Sequence, residues 1–231
     1  MTGTPLVENR KMWKEIFKAH ESVTTYPHEA VVVWFRRLRR RESARTIKRV
    51  LDIGCGVAAD LAFFAEEGMH YMGIDVNDLL FGMIRRRCRA FRGKFKLMRF
   101  SPPDLPFEDS VFDAVIGIES LHLNPTKASM RTIINEVHRV LKDGGVFLFT
   151  AFDARHFLIE ERMADFIGDH AFRVTDRYGD AKRRGMTYFY FPDEATIRRY
   201  FSRFSEVAVG RHVLDLGDGR KNSQYIIHGT K

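Results

Sequence analysis

Apolar positions along the chain change their period at Val50. Before it, Trp13, Ile16 and Phe17 recur at helical spacing, and the pattern predicts an amphipathic helix over residues 8–20. A second helix is expected over residues 28–41, after a turn at TTYP. From Val50 onward, short and largely apolar runs alternate with helical segments: VLDIG, DLAFFAEEG, YMGIDV, LLFGMIRRRCRAF, FKLMRF, DAVIGIES, a helix over about 126–141, and VFLFTAF. Strands this apolar are buried on both faces, which is the condition of a parallel sheet covered by helices on either side. The alternation therefore predicts an α/β fold, a doubly wound and mainly parallel sheet of seven strands, Rossmann-like in its layers.

The helix ending near Leu141 is followed by Asp143-Gly144-Gly145, where glycine can take the left-handed backbone that stops a helix. The alternation then breaks. Residues 152–190 are polar and rich in His, Arg and Phe, far longer than the ~4–6 residues of an ordinary connection, and are expected to form an inserted lid. YFYF, a helix begun at Pro192-Asp193, and the strands EVAVGRHVLDL and SQYIIHGTK complete the chain. Asp218-Gly219 lies between the last two and predicts an antiparallel C-terminal hairpin. The expected organisation is an N-terminal helical cap over 1–45 and one main domain over 46–231 that carries the lid.

Composition removes whole classes. With 231 residues and 45% hydrophobic content the chain can build a real core, so a disordered or fibrous chain is excluded. No apolar run approaches the ~20 residues of a membrane span, and MTGTPLVENRKMWKE lacks the apolar centre of a secretory signal. A cytoplasmic location without a membrane partner is expected. Cys55 and Cys88 have no CxxC spacing and no companion histidines, so neither a disulfide framework nor a metal site is indicated. The net charge of +8 is concentrated in Arg36–Arg41, Arg85–Arg89 and Lys182–Arg184. These clusters read as solvated helix faces and a loop; RNA is the alternative partner, but no recognition module accompanies them.

The stretch VLDIGCGVAAD, residues 50–60, reads as a strand, a glycine turn and a helix, the place where an open α/β sheet meets its ligand. Gly54, Gly56 and Ala59 satisfy a dinucleotide pattern literally. Asp75, 21 residues after Gly54, can accept hydrogen bonds from both hydroxyls of a ribose, whichever adenosine ligand carries it. Asp52 separates the readings. A carboxylate facing this helix N-terminus would repel a pyrophosphate but attract a ligand presenting ammonium and sulfonium groups.

Further blocks follow in order: Leu105-Pro106-Phe107 and Phe112-Asp113 in DLPFEDSVFDAVIG, then EVHRVLKDGGVFLFT. With the glycine turn and Asp75, residues 48–151 resemble the class I S-adenosylmethionine-dependent methyltransferases of the LPF/FD-containing branch. The resemblance implies that Asp52, Gly54 and Gly56 surround the methionine part of S-adenosylmethionine, that Asp75 binds the ribose and that Val76 packs on the adenine. Ser101, beside Pro102, stands where the family places an acid toward the adenine amine. Ala58 replaces the family's third glycine.

Methyl transfer from sulfonium is an in-line displacement, so the main task is to align nucleophile, methyl and leaving sulfur in a dry site. Glu119 and His122 follow the fourth strand and are the candidate catalytic residues, His122 as base and Glu119 as the group that orients a cationic acceptor or the cofactor. Tyr26, with His28 and Trp13 in the cap, is the aromatic candidate over the sulfonium. Arg155, Arg184 and Tyr188, with His156 and Arg183, are candidates for the acceptor side, where arginine would favour an anionic small molecule. The expected activity is methylation of an O or N atom of such a molecule, leaving S-adenosylhomocysteine. RNA methylation, a cofactor-binding regulatory subunit without turnover and a nicotinamide-dependent oxidoreductase stand as alternatives. The acceptor and the oligomeric state are not legible.

Overall fold

A computed structural model describes residues 5–19, 25–40, 47–100, 102, 104–168, 170–178, 183–215 and 217–231. Helix α1 (Pro5–Ala19) opens on a proline, whose missing N–H costs nothing in a first turn. Helix α2 (Glu29–Arg39) is capped by His28, whose Nδ1 accepts from the Ala30 amide. Strand β1 (Arg49–Ile53), α3 (Leu61–Glu66), β2 (His70–Asp75), α4 (Phe81–Arg87), β3 (Phe95–Arg99) and β4 (Phe112–Gly117) realise the alternation. Helix α5 (Lys127–Val140) begins with a reciprocal cap between Thr126 and Ser129. It runs directly into β5 (Leu141–Asp153). The insertion forms α6 (Phe157–Glu160) and strands β6 (Ala164–Phe166), β7 (Ala171–Val174) and β8 (Thr187–Phe191). Then come α7 (Glu194–Tyr200), capped by Asp193, β9 (Ser205–Asp215) and β10 (Lys221–Thr230).

The sheet order β3-β2-β1-β4-β5-β10-β9 supplies the seven expected strands, parallel except for β10, which runs antiparallel to both neighbours. Three strands are additional. β6, β7 and β8 form an antiparallel meander, and β8 joins the main sheet through Tyr190 and Phe191, opposite Phe152 and Asp153. That attachment lies beyond the carboxyl end of β4, whose last pairing to β5 is Gly117 with Phe149. Residues 142–145 correct another detail: they form no separate turn but a bulge within β5, with Gly144 at φ +68° and the pairing shifting between Phe112/Leu141 and Ala114/Val146.

The blocks that carried the resemblance act as braces. Asp113 accepts from the Lys48 and Arg49 amides at 3.0 and 2.9 Å and from Lys142 Nζ at 2.8 Å, joining the starts of β1, β4 and β5. Burial raises its pKa, but Lys142 and the two amides outweigh burial and hold it below the usual carboxylate range. Glu136 accepts from the Leu105 amide at 2.9 Å, while Arg139 donates to the carbonyls of Leu105 and Phe107 at 3.0 and 2.7 Å. The LPF loop is thereby clamped to α5.

Three apolar clusters divide the molecule. One lies under α5 and α7, with Phe147, Phe149 and Phe201 fully buried. A second lies under α2, α3 and α4 and includes Trp34, Phe35 and Phe64. The third holds Ile16 of α1 together with Phe152, Phe172, Met186 and Tyr188. The expected two-helix cap is therefore divided: α2 covers the main sheet, whereas α1 packs on the insertion. A pair of hydrogen bonds fixes this contact. Asn9 Nδ2 donates to the Thr187 carbonyl at 2.5 Å, and the Thr187 amide donates to Asn9 Oδ1 at 2.9 Å, with both residues buried.

Removing that amide leaves two buried backbone groups unpaired. Asn9→Leu should lower the unfolding free energy by about 1–3 kcal/mol in urea denaturation, with the Thr187 amide losing hydrogen-exchange protection first. An unchanged midpoint and unchanged protection would separate α1 from the stability of the insertion.

Candidate functional site

The carboxyl ends of β1, β2 and β4 converge on the glycine turn. Gly54, at φ +74°, donates to the Ile74 carbonyl at 2.8 Å, and a Cβ placed on it would stand 2.5 Å from Ser120 Cβ. Ser120 Oγ in turn donates to the Ile53 carbonyl at 2.5 Å. Gly56, at φ +50°, donates its N–H to Asp75 Oδ2 at 2.9 Å, while the Asn77 amide donates to Oδ1 at 2.9 Å. Both Asp75 oxygens keep acceptor capacity beyond these bonds. Burial raises its pKa while the three amides of Gly56, Asn77 and Val76 oppose the rise.

Asn77 was not singled out in the sequence, yet its Nδ2 is buried without a partner among the described residues. A donor beside an acceptor carboxylate suits a ribose diol, and a turn this close to β4 admits no side chain between them. The residues present therefore fit S-adenosylmethionine at this edge. Val76 is half-buried against the main core, and Pro102 is half-buried in its turn; Ser101 lies outside the described residues.

Asp52 sits below the turn rather than on its open side. It is 4% exposed and accepts a short hydrogen bond from the Tyr71 hydroxyl. Burial, then the charge of Asp60, push its pKa well up, against the pull of Tyr71. Asp60, which accepts from the His28 amide at 2.9 Å, is raised by burial to about 6.

Ala58 explains the third glycine of the family pattern. Its φ is +51°, its N–H donates to the Cys55 carbonyl at 2.6 Å, and it is fully buried. A left-handed alanine costs about 1–2 kcal/mol. Arg87 braces the strained turn by donating to the carbonyls of Val57 and Ala58 at 2.5 and 3.2 Å.

After β4 the backbone is strained again, with Glu119 at φ +52°. The Glu119 amide donates to Thr150 Oγ1 at 2.8 Å, and its exposed carboxylate accepts from Gln224 Nε2 at 3.0 Å. His28, half-buried, feels the Glu119 charge, and its ring meets that of His212 edge-on at 5.6 Å. Gln224 and His212 escaped the sequence reading because β10 and β9 come together with Glu119 only in the folded sheet. Tyr26 is 79% exposed, while the ring of Phe17 lies 3.6 Å from where a Gly56 Cβ would be. Phe17 is thus the aromatic over the turn; its spacing of four from Trp13 was the available signal.

The insertion packs against His122 and carries the acceptor-side candidates. His122 is 3% exposed, stacked on Phe152 at 3.9 Å and 11°, with Tyr188 edge-on at 5.4 Å. Burial, then His156 and Arg183, push its pKa down to about 3, and His156 is pushed down to about 3 by burial and Arg183. A group held so far below neutrality suits packing better than proton abstraction at pH 7. Tyr188 is buried with its hydroxyl 3.2 Å from Met186 Sδ, Arg184 pairs with Asp176 at 2.6 Å, and Arg155 is exposed beside Asp153. Tyr188 and Arg184 are thus engaged within the insertion itself, whereas the Arg155 side chain is exposed.

The fold and the glycine turn define a class I methyltransferase architecture, and sequence comparison gives the same result. The methyltransferase domain family matches residues 50–145. A fatty-acid O-methyltransferase of Mycolicibacterium smegmatis is 39% identical over 110 residues, 47% of this chain and 38% of that protein. Phthiotriol/phenolphthiotriol dimycocerosates methyltransferase 1 of Mycobacterium ulcerans is 30% identical over 191 residues, 80% of this chain and 68% of that protein. A crystal structure of an S-adenosylmethionine-dependent methyltransferase from Methanosarcina mazei superposes with a TM-score of 0.69 at 21% identity, covering 89% of this chain and 98% of that one. This chain belongs to the class I S-adenosylmethionine-dependent methyltransferases. It spans little more than a third of the length of the fatty-acid enzyme. No described helix is long and apolar enough to cross a membrane.

Two predictions follow from the strain and the buried imidazoles. Ala58→Gly should leave stability within about 1 kcal/mol of the parent, because relief of about 1–2 kcal/mol is offset by a lost methyl, about 0.8, and added chain entropy, about 0.5–1. Ala58→Val, β-branched at positive φ in a closed space, should cost about 2 kcal/mol or more in the same denaturation assay. Separately, His122 and His156 bind protons more readily in the unfolded chain. Their contribution is present above about pH 6.5 and is lost as pH falls toward 3, by up to about 1.4 kcal/mol per pH unit each. Asp60 works in the opposite sense between about pH 6 and 4. His122→Phe should therefore flatten the acid loss of stability relative to the parent, and parallel pH profiles for the two proteins would refute the assignment.

Proposed function

We propose that this protein transfers the methyl group of S-adenosylmethionine to an O or N atom of a small molecule. The observation that carries the reading is the glycine turn: a side-chain-free backbone pressed against Ser120, with Asp75 and the unpaired Asn77 amide group beside it. S-adenosylmethionine supplies an electrophilic methyl on a positively charged sulfur. Gly54 and Gly56 let the backbone approach it, Asp75 and Asn77 hold the ribose, and Phe17 covers the turn. Glu119 lies where negative charge stabilises a sulfonium or an acceptor ammonium. With His122 buried and held neutral, alignment and exclusion of water carry the step, and Glu119 is the residue placed to take a proton. The insertion and α1 together act as the lid over this edge.

The relatives' names support a small-molecule acceptor, a fatty acid in one case. RNA is supported less well. Helix α2 follows its cap His28, beside Glu119, and ends at Arg39 before β1 starts, so Arg36, Arg37, Arg39 and Arg40 gather at the sheet edge remote from the turn; Arg41 lies outside the described residues. Arg87 is occupied with the turn carbonyls.

Isothermal titration of ligand-free protein with S-adenosylhomocysteine should give a single site, weakened at least tenfold by Asp75→Ala. Glu119→Gln should weaken S-adenosylmethionine more than S-adenosylhomocysteine, which lacks the sulfonium charge. Absence of binding by both cofactor forms would overturn the reading.

A further inference from the structure

The face of β9 and β10 that looks toward α2 is incompletely covered. Between them runs a groove of about 440 Å³, within the ~300–1,000 Å³ typical of small-molecule clefts. Val33, Trp34 and Leu38 of α2 supply apolar surface on one wall and Val146, Ala208 and Ile226 of the sheet on the other, while Arg37, Glu206 and Arg211 also line the groove. Val33 is 41% exposed.

One end of the groove meets the polar cluster of the candidate site. His212 and Glu29 line it there, with His212 Nε2 3.8 Å from Glu29 Oε2. Directly across the ladder from His212 is Gln224, which donates to Glu119. Gln224 is 4% exposed, and its Oε1 has no hydrogen-bond partner among the described residues. A buried acceptor of this kind is costly unless something donates to it. A hydroxyl or amine at the polar end of a ligand would do so.

Gly210 is the second observation. It lies inside β9, opposite Ile226, in a backbone conformation open to any residue, and a Cβ placed on it meets nothing within 4 Å. Glycine weakens a strand interior and often marks close approach of a ligand. Neither a turn nor a steric clash explains its presence, whereas keeping the groove floor open does.

From His212, which lines the groove and stands across the ladder from Gln224, we propose that the groove holds the hydrocarbon chain of an amphipathic acceptor whose reacting polar end lies at Glu119 and Gln224. The proposal rests on the methyl-transfer reading above. Trp34 supplies a local reporter. In a Trp13→Phe background it is the remaining tryptophan, and monomeric 9,10-dibromooctadecan-1-ol, whose bromines quench indole on contact, is the probe. Saturable quenching is expected, with probe affinity falling at least tenfold in Gly210→Leu while the melting temperature is kept or raised and S-adenosylhomocysteine binding is unchanged. Val33→Asp, at an exposed helix position, should produce the same loss by placing a charge in the wall. No saturable quenching, or quenching indifferent to both substitutions, would overturn the groove assignment. Failure of the parent protein to bind S-adenosylhomocysteine would count against methyl transfer while leaving a positive quenching result in place.

Discussion

Everything at the carboxyl edge depends on how closely the turn after β1 approaches the segment after β4. With Gly54 lacking a Cβ, Ser120 can reach across and hold the Ile53 carbonyl, so the two central strands are tied where the site opens. The same approach forces left-handed backbone at Gly54, Gly56 and Ala58 on one side and at Glu119 on the other. Glycine accommodates this without strain; alanine and glutamate do not. That strained residues persist here fits a surrounding structure that over-determines them: Arg87 holds the turn carbonyls and Thr150 holds the Glu119 amide.

The rest of the domain reads as support for that edge. Asp113 joins the amino ends of three strands, and the Glu136–Arg139 pair fixes the loop between β3 and β4. These bonds lie away from the glycine turn. The motif residues LPF and FD therefore brace the sheet, while the proposed chemistry draws on the glycine turn, Asp75 and Glu119. At the top, Asn9 joins α1 to β8, so the N-terminal helix and the insertion form one body above the carboxyl ends of β4 and β5.

Electrostatics divides the site into two regions. Under the turn, Asp52 and Asp60 are buried acids whose pKa values burial raises, and a cation bound above them would favour their ionised forms. At the insertion, His156 and the neighbouring His122, which follows β4, are held neutral by burial among Phe152, Phe157 and Tyr188. The strand pair β9–β10 links the open edge to the groove under α2 through Gln224 and His212.

Local periodicity was enough to determine the doubly wound sheet, the C-terminal hairpin and the glycine turn, because each is encoded by neighbours within a few residues: apolar runs, caps and turn glycines. Asp75 was legible for the same reason, at a fixed distance along one βα unit. Periodicity also located the insertion but not its content, since the meander of β6, β7 and β8 is built from pairings and a core shared with α1. The surroundings of His122, Tyr26, Phe17 and Gln224 were decided only by tertiary structure. A sequence states that an imidazole or a phenol is present. Whether it faces water, a ring or a carboxylate depends on segments far apart in the chain, as with His28 and His212, and burial then sets its charge.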